Sequence, residues 1–230
     1  MTLSLKNKNE PSKVHHIVSV TPFSEEEFRE KSQLAIYMEK VDYPYFTIVT
    51  DNQEGLPKIY NTFLTEEHAD KNIIFIHDDV LIEDVFFTEK LDIAFEKFDI
   101  VGLAGATACN LNKPIPAWHV MCEPNERVGE VAHAAQGKTW TSVFGPTDSR
   151  ALVIDGLFIG VNVAKMLETG TKFDEDFDFH HYDISFCLNA NKNKVKIGVA
   201  PIKVTHFGLG DSMNTPEWVV SADNFKKKYV

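Results

Sequence analysis

The chain has 230 residues, of which 43% are hydrophobic and 17 are phenylalanine. This length and composition allow one large domain, or one domain with a small appendage, around a sizeable core. The formal net charge of −11 argues against a protein that coats nucleic acid through phosphate contacts. It leaves nucleotide binding open, because a bound metal ion can supply positive charge locally.

The sequence predicts no transmembrane segment, since no apolar run approaches the length that spans a bilayer. Residues 1–13 are polar and lack the apolar stretch of a signal peptide, so we expect a flexible N-terminal lead and a cytoplasmic protein. The cysteines, Cys109, Cys122 and Cys187, have no CxxC spacing. Their odd and sparse count is typical of a reducing compartment and gives no zinc or disulfide signal.

The first hundred residues alternate between predicted strands and helices. Ser24 and Glu27 have the spacing of a capping box, which predicts a helix over 25–38. Apolar residues at helical spacing predict another helix over 84–98. The remaining elements are strands at 15–21, 45–50, 73–76 and 100–104 and a helix at 57–64. This alternation predicts a parallel, doubly wound sheet with right-handed crossovers.

The character of the sequence changes after Gly105. Residues 106–150 are rich in Pro, Gly, Asn, His and Thr, which indicates irregular structure or a small hairpin layer. Long loops inside compact domains are usually functional. Beyond them we expect strands at 151–154, 195–200 and 202–206 and helices at 161–167 and 184–191. Thr215 followed by Pro216 predicts the start of a last helix.

The most informative stretch is Asn72 to Val80, with the sequence NIIFIHDDV. An apolar run typical of a buried strand stops there on His77, Asp78 and Asp79. In open α/β sheets, ligands bind just outside the carboxyl ends of the strands. Adjacent carboxylates are costly unless a cation or a proton neutralises them, and oxygen ligands favour Mg²⁺ or Mn²⁺. The alternative interpretation is a solvated acidic turn.

Polar residues also follow other predicted strands, at Asp51, Asp155 and His206. Convergence of several strand ends is what a ligand site requires. Asp79 and His206 could share a divalent ion, or His206 could bond only to backbone. Asp183 follows an acidic and aromatic run and opens a predicted helix. It is therefore a candidate helix N-cap, a candidate general base, or both.

Several familiar catalytic and nucleotide-binding motifs are missing from the sequence. It contains no Gly-x-Ser-x-Gly, no Walker phosphate loop, no His-Glu-x-x-His and no Gly-x-Gly-x-x-Gly. Gly208-Leu209-Gly210 is too short for a dinucleotide fingerprint and indicates a turn. The polar strand ends are thus the main candidates for chemistry.

Taken in order, these segments resemble the GT-A glycosyltransferases, and specifically the glycosyltransferase family 2-like group. The resemblance extends from Ile17 to Leu209. Its motifs are GLPKIYN at 55–61, FIHDDV at 75–80, IDGLF at 154–158, FDE at 173–175, HYD at 181–183 and the late His206. It implies a single α/β domain over 14–230, with a Rossmann-like mixed sheet flanked by helices. Residues 14–105 would form the nucleotide-binding half and 106–230 the acceptor-binding half.

The resemblance also implies a role for each motif. Asp79 and His206 would bind Mn²⁺ or Mg²⁺, and Asp183 would be the catalytic base. The nucleotide sugar would be contacted by Asp51, Asn61, His77 and Asp78. The acceptor would be contacted by Trp118, Asp155, Gly156 and His181.

Two positions depart from the pattern of that group. His77 replaces the first carboxylate of the Asp-x-Asp element, and Tyr182 replaces the Glu of a Glu-Asp pair. The implied activity is metal-dependent, inverting transfer of a sugar from a nucleotide diphosphate to a hydroxyl of a glycan or another acceptor. The alternatives are a nucleotide-sugar binder or slow hydrolase, a nucleotidyltransferase or phosphohydrolase, and a structural α/β module.

Overall fold

The computed structural model describes residues 13–208, 213 and 215–230. The predicted N-terminal lead lies outside the described residues except for Lys13, and so does most of the predicted turn at 208–210. Among the described residues the strands are β1 (His15–Val20), β2 (Phe46–Val49), β3 (Asn72–Ile76), β4 (Val80–Ile82), β5 (Ile100–Gly102), β6 (Ala104–Ala106), β7 (Arg127–Ala135), β8 (Lys138–Val143), β9 (Ser149–Ala151), β10 (Val153–Ile154), β11 (Phe158–Asn162), β12 (Ile197–Val199) and β13 (Val204–His206). The α-helices are α1 (Glu25–Lys31), α2 (Gln33–Val41), α3 (Leu56–Asn61), α4 (Phe87–Phe95), α5 (Val163–Thr169), α6 (Tyr182–Lys192) and α7 (Pro216–Tyr229).

The main sheet has seven strands in the order β2-β1-β3-β11-β5-β12-β9. β1 lies parallel to both β2 and β3, as the alternation of strands and helices predicts. Every residue of β3 is buried, because it lies between two neighbouring strands and is covered on both faces. The polar residues that follow β3 therefore leave the sheet at its centre, which is where an open α/β sheet binds ligands.

The prediction of a fully parallel sheet is wrong. β11 is inserted between β3 and β5 and runs antiparallel to both, and β9 runs antiparallel to β12. β11 is not predicted from the sequence, because its apolar residues run directly into α5 and the helical spacing of 161–167 conceals the strand. The mixed sheet implied by the family resemblance is the one observed.

A second sheet has the order β10-β6-β7-β13-β4, with β8 paired to β7. The segment 106–150 thus contains the predicted hairpin, formed by β7 and β8. β13 pairs with β4 on one side and with β7 on the other, so that His206 lies opposite Val80 and His133. This pairing brings the end of the chain's last strand next to the residues that follow β3.

The predicted helix over 25–38 is two helices, because Ser32 ends one and begins the next. Its backbone N–H donates to Phe28 O, while its side chain accepts from Ala35 N. The capping box of Ser24 and Glu27 is present as predicted. None of the helices in the described part of the chain combines the length and the apolar character needed to cross a bilayer.

Candidate active site

Asp78 faces the ends of β1 and α2. The hydroxyl of Thr21, which follows β1, donates to Asp78 Oδ2 at 2.6 Å, and the hydroxyl of Ser32 donates to Asp78 O at 2.5 Å. Burial raises the pKa of Asp78 above its ordinary value, against the opposing effect of the Thr21 hydrogen bond. Asp78 thus belongs to the half of the molecule built by β1, β2 and β3.

Asp79 faces the second sheet and pairs with His206. The distance from Asp79 Oδ2 to His206 Nε2 is 3.1 Å, and Phe207 N donates to Asp79 O at 2.8 Å. Burial opposes the charge of both groups, but their mutual hydrogen bond and attraction outweigh it. The pKa of Asp79 is consequently lowered and the pKa of His206 is raised.

The pair has the donor chemistry of a divalent-metal site. Asp79 Oδ1 is buried and has no hydrogen-bond partner among the described residues, although such an oxygen normally has one. A Cβ on Gly208 would lie 3.1 Å from both Asp79 Oδ2 and His206 Nε2, so glycine keeps the space beside the pair open. No cluster of three or more His, Cys, Asp or Glu side chains in the described ranges could hold a metal. The pair would therefore supply two ligands and leave the others to substrate oxygens and water.

His77 and Tyr182, the two departures from the family pattern, contact each other. The distance from His77 Nε2 to Tyr182 Oη is 3.0 Å, and the Tyr182 hydroxyl donates to Gly156 O at 2.8 Å. Because the hydroxyl proton is directed to Gly156, His77 Nε2 must be the donor to Tyr182 Oη. Burial lowers the pKa of His77, which is consistent with a neutral imidazole.

Gly156 is required by this contact. A Cβ at position 156 would lie 2.6 Å from Tyr182 Oη and 3.3 Å from Asp183 Cβ. Any side chain there would displace both residues. Gly156 therefore shapes the site by letting the first turn of α6 approach the loop after β10.

Asp183 lies in the first turn of α6, and the N-cap is His181 rather than Asp183. Asp183 Oδ1 accepts from Ile184 N at 2.8 Å. Burial, followed by repulsion from Asp155, raises the pKa of Asp183 to about 7. A carboxylate with a pKa near the working pH is suited to general-base catalysis.

Asp155 is held by two hydrogen bonds. Trp118 Nε1 donates to its Oδ2 at 2.7 Å, and Leu157 N donates to its Oδ1 at 3.0 Å. The Trp118 side chain is buried and packs edge-on against Phe144. Asp155 and Trp118 therefore hold each other in place and form one wall of the site.

His181 has a left-handed backbone, with φ of 64°. Its Nδ1 lies 2.8 Å from Ser221 Oγ, whose own proton is donated to His180 O. Nδ1 of His181 is therefore protonated, and its Nε2 is a buried acceptor without a partner in the described part of the structure. Burial, with a smaller contribution from the neighbouring His180, lowers the pKa of His181 to about 4.

A cleft of about 670 Å³ connects these groups. It brings together eight of the predicted site residues: His77, Asp79, Trp118, Asp155, Gly156, His181, Asp183 and His206. The sequence predicts no role for three further residues of its lining, His133, Phe179 and Trp218. Their signal in the sequence is weak, because each is a single side chain in an element of otherwise ordinary composition.

Three predicted nucleotide-binding residues lie outside the cleft lining. Asp78 points away from it, as described above. Asp51 follows β2 with φ of 53°, and the N–H of the next residue, Asn52, donates to Thr21 O, so Asp51 lies beside the segment of Thr21, whose hydroxyl bonds to Asp78. Asn61 is occupied elsewhere: its amide bonds to the backbone of Phe173 in both directions and to Glu175. These contacts give Asn61 the role of fixing α3 to the segment at 173–175.

Comparison with solved structures shows the fold. A197 from STIV has a TM-score of 0.50 and 13% identity, over 85% of this chain and 86% of A197. GalNAc-T7, solved with UDP, GalNAc and Mn²⁺, has a TM-score of 0.53 and 10% identity, over 94% of this chain and 48% of GalNAc-T7. This chain thus spans about half the length of GalNAc-T7 and has the fold of the GT-A glycosyltransferases.

Residues 24–229 match the sequence model of a glycosyltransferase-like family, and the chain belongs to that family. A comparison with curated protein sequences gave no match. The predictions of the GT-A fold and of a glycosyltransferase are confirmed.

Proposed function

We propose that the protein transfers a sugar from a nucleoside-diphosphate donor to an acceptor hydroxyl, with inversion at the sugar carbon and with a divalent cation. The observation that carries this proposal is the position of Asp183. It lines the same cleft as the Asp79–His206 pair, and its pKa of about 7 suits a base. The predicted cytoplasmic location remains a prediction from the sequence.

Asp79 and His206 would hold Mn²⁺ or Mg²⁺, which would neutralise the charge that develops on the departing diphosphate. The Asp78 side, with Asp51, would receive the nucleoside. This division is supported by the Thr21–Asp78 hydrogen bond, which orients Asp78 toward the ends of β1 and β2.

Asp183 would take the proton of the acceptor hydroxyl. The acceptor oxygen forms a bond to the anomeric carbon while the bond from that carbon to the diphosphate oxygen breaks, and the diphosphate leaves with the electron pair. Attack from the face opposite the leaving group inverts the anomeric carbon. The helix N-terminus beneath Asp183 helps to hold the carboxylate in place through Ile184 N.

A thermal-shift screen of nucleoside diphosphates, with and without Mn²⁺, tests the donor side. We expect one nucleotide to raise the melting temperature only when Mn²⁺ is present, because binding to the folded state stabilises it. Asp79→Ala should abolish this rise, and the surface variant Asp176→Asn should retain it, since Asp176 is 72% exposed. A metal-dependent rise that survives in Asp79→Ala would refute the metal assignment.

The assignment of Asp183 as the base is tested by a product assay that separates sugar transfer from hydrolysis of the donor. Asp183→Asn should lower transfer about 100-fold or more, which is the usual contribution of a general base, while the nucleotide-dependent shift persists. Full transfer by this variant would exclude Asp183 as the base. Free sugar as the dominant product of the wild-type protein would instead favour the hydrolase alternative.

A further inference from the structure

Two exposed aromatic rings line the cleft, each backed by a histidine. Trp140 of β8 is 41% exposed and stacks on His133, with ring centroids 5.1 Å apart and an interplanar angle of 17°. Phe179 is 53% exposed and stacks on His77 at 5.8 Å and 24°. One face of each ring is thus covered by an imidazole, while the ring keeps a large exposed surface in the cleft.

Both rings belong to residues 106–230, the half of the chain that the family resemblance assigns to the acceptor. Phe179 is four residues before Asp183, the proposed base, and Trp140 projects from the β7–β8 hairpin. His133, on which Trp140 stacks, lies 5.7 Å from His206 between ring centroids. The two stacks therefore extend from the proposed catalytic groups out to the surface of the cleft.

The charge of the cleft narrows the chemical class of acceptor that can bind there. Its described lining includes three carboxylates, those of Asp79, Asp155 and Asp183, and no lysine or arginine. Such a lining disfavours an anionic acceptor, since like charges at close range are repulsive. A lipid chain would need a continuous apolar wall, whereas here the aromatic rings alternate with polar groups that bond hydroxyls.

We propose that the acceptor is a neutral saccharide, packed through its C–H faces against Trp140 and Phe179. The faces of aromatic rings carry negative partial charge, which attracts the weakly positive C–H bonds of a pyranose. The hydroxyls at the edge of the sugar would meet acceptors such as the free Nε2 of His181. This inference rests on the proposed function, because it names the acceptor of that reaction.

The test measures saccharide binding without a nucleotide, so that it does not depend on the donor. The probes are maltotetraose, cellotetraose and N-acetylchitotetraose, with a neutral Ser/Thr-rich decapeptide and phosphatidylcholine vesicles for comparison. Trp118, Trp140 and Trp218 are the three tryptophans of the sequence, and all three line the cleft. Intrinsic fluorescence therefore reports binding by the wild-type protein, and calorimetry measures it for the variants.

We expect at least one tetrasaccharide to bind. Trp140→Ala and Phe179→Ala should each raise its Kd about tenfold, equivalent to about 1.4 kcal/mol. Trp140→Phe, which keeps a ring, should raise Kd less than Trp140→Ala. The matched control is Phe86→Ala, because Phe86 is 61% exposed and lies outside the cleft lining. Thermal unfolding of each variant establishes that it is folded.

Three results would overturn the proposal. The first is that none of the three tetrasaccharides binds. The second is that a tetrasaccharide binds but neither Trp140→Ala nor Phe179→Ala weakens its binding. The third is that the peptide or the vesicles, and not the saccharides, bind in a way that depends on the two rings. A further outcome separates this proposal from the proposed function. If saccharide binding depends on the rings but nucleotide and Mn²⁺ do not stabilise the same preparations, the proposed donor is contradicted and the proposed acceptor is supported.

Discussion

The contact between His77 and Tyr182 predicts a measurable coupling. Tyr182→Phe keeps the buried ring, which is 2% exposed, and removes the hydroxyl that donates to Gly156 O and accepts from His77 Nε2. The buried Gly156 O and the half-buried His77 Nε2 would lose a partner, and each such loss costs about 1–3 kcal/mol when the group is buried. Relaxation of the structure and entry of water offset part of this loss of stability. We therefore expect the free energy of unfolding to fall by about 2–4 kcal/mol.

Urea denaturation, followed by a double-mutant cycle with His77→Ala, measures this effect. The two single changes remove the same hydrogen bond, so the double variant should lose about 1 kcal/mol less than the sum of the singles. Tyr37→Phe is the control, since the Tyr37 hydroxyl has no hydrogen-bond partner among the described residues and its loss should change stability by less than about 0.5 kcal/mol. Additive losses from His77→Ala and Tyr182→Phe would refute the coupling.

Three further predictions follow from single groups in the cleft. Because the pKa of Asp183 is about 7 and the base must be ionised, kcat/KM should be about tenfold lower at pH 6 than at pH 8, and a flat profile would exclude Asp183 as the titrating base. The folded-state pKa of His181 is about 4, which is below its unfolded-state value, so the unfolded state binds more protons at pH values between the two. The free energy of unfolding should therefore rise with pH from about 4 to 6.5, by up to about 3 kcal/mol. Urea melts of the wild-type protein and of Ser221→Ala across this pH range measure the effect. Gly156→Ala should destabilise the protein by about 1–3 kcal/mol, because its Cβ would meet Tyr182 Oη at 2.6 Å, and unchanged melting would contradict this crowding.

The sequence predicts which strand ends meet better than it predicts the order of the strands. Asp79 and His206 are 127 positions apart, yet Asp79 follows β3 and His206 ends β13, and the two strand ends meet as expected. The order of the strands could not be derived in the same way. β11 is recognisable only once its pairing with β3 and β5 is known, since the apolar run from Leu157 continues into α5 without a turn signal.

Contacts between side chains of distant segments could not be predicted from the sequence either. His77 and Tyr182 each looked like a departure that weakens the family pattern, and the structure shows that they are partners. Asn61 lies on the predicted helix, but its amide is used by Phe173 and Glu175. Such pairings depend on the relative placement of distant loops, which periodicity and spacing do not encode.

The charge of the cleft leads to a last prediction about donor binding. Three carboxylates with no lysine or arginine in the described lining, on a chain of net charge −11, form a negative field that repels a diphosphate. The donor diphosphate should therefore bind weakly unless a divalent cation offsets its charge, and its affinity should depend on the Mn²⁺ concentration.

Calorimetric titration of the best nucleoside diphosphate, at several Mn²⁺ concentrations and at constant ionic strength, measures this dependence. We expect Kd to fall at least tenfold, about 1.4 kcal/mol, between EDTA and saturating Mn²⁺. His206→Ala should reduce that gain, because it removes one of the two proposed ligands. Asp176→Asn should keep it, since this carboxylate lies at the surface beside Lys228. Equal affinity in EDTA and in Mn²⁺ would show that the fold neutralises the diphosphate by other groups, and the assignment of Asp79 and His206 would then have no support.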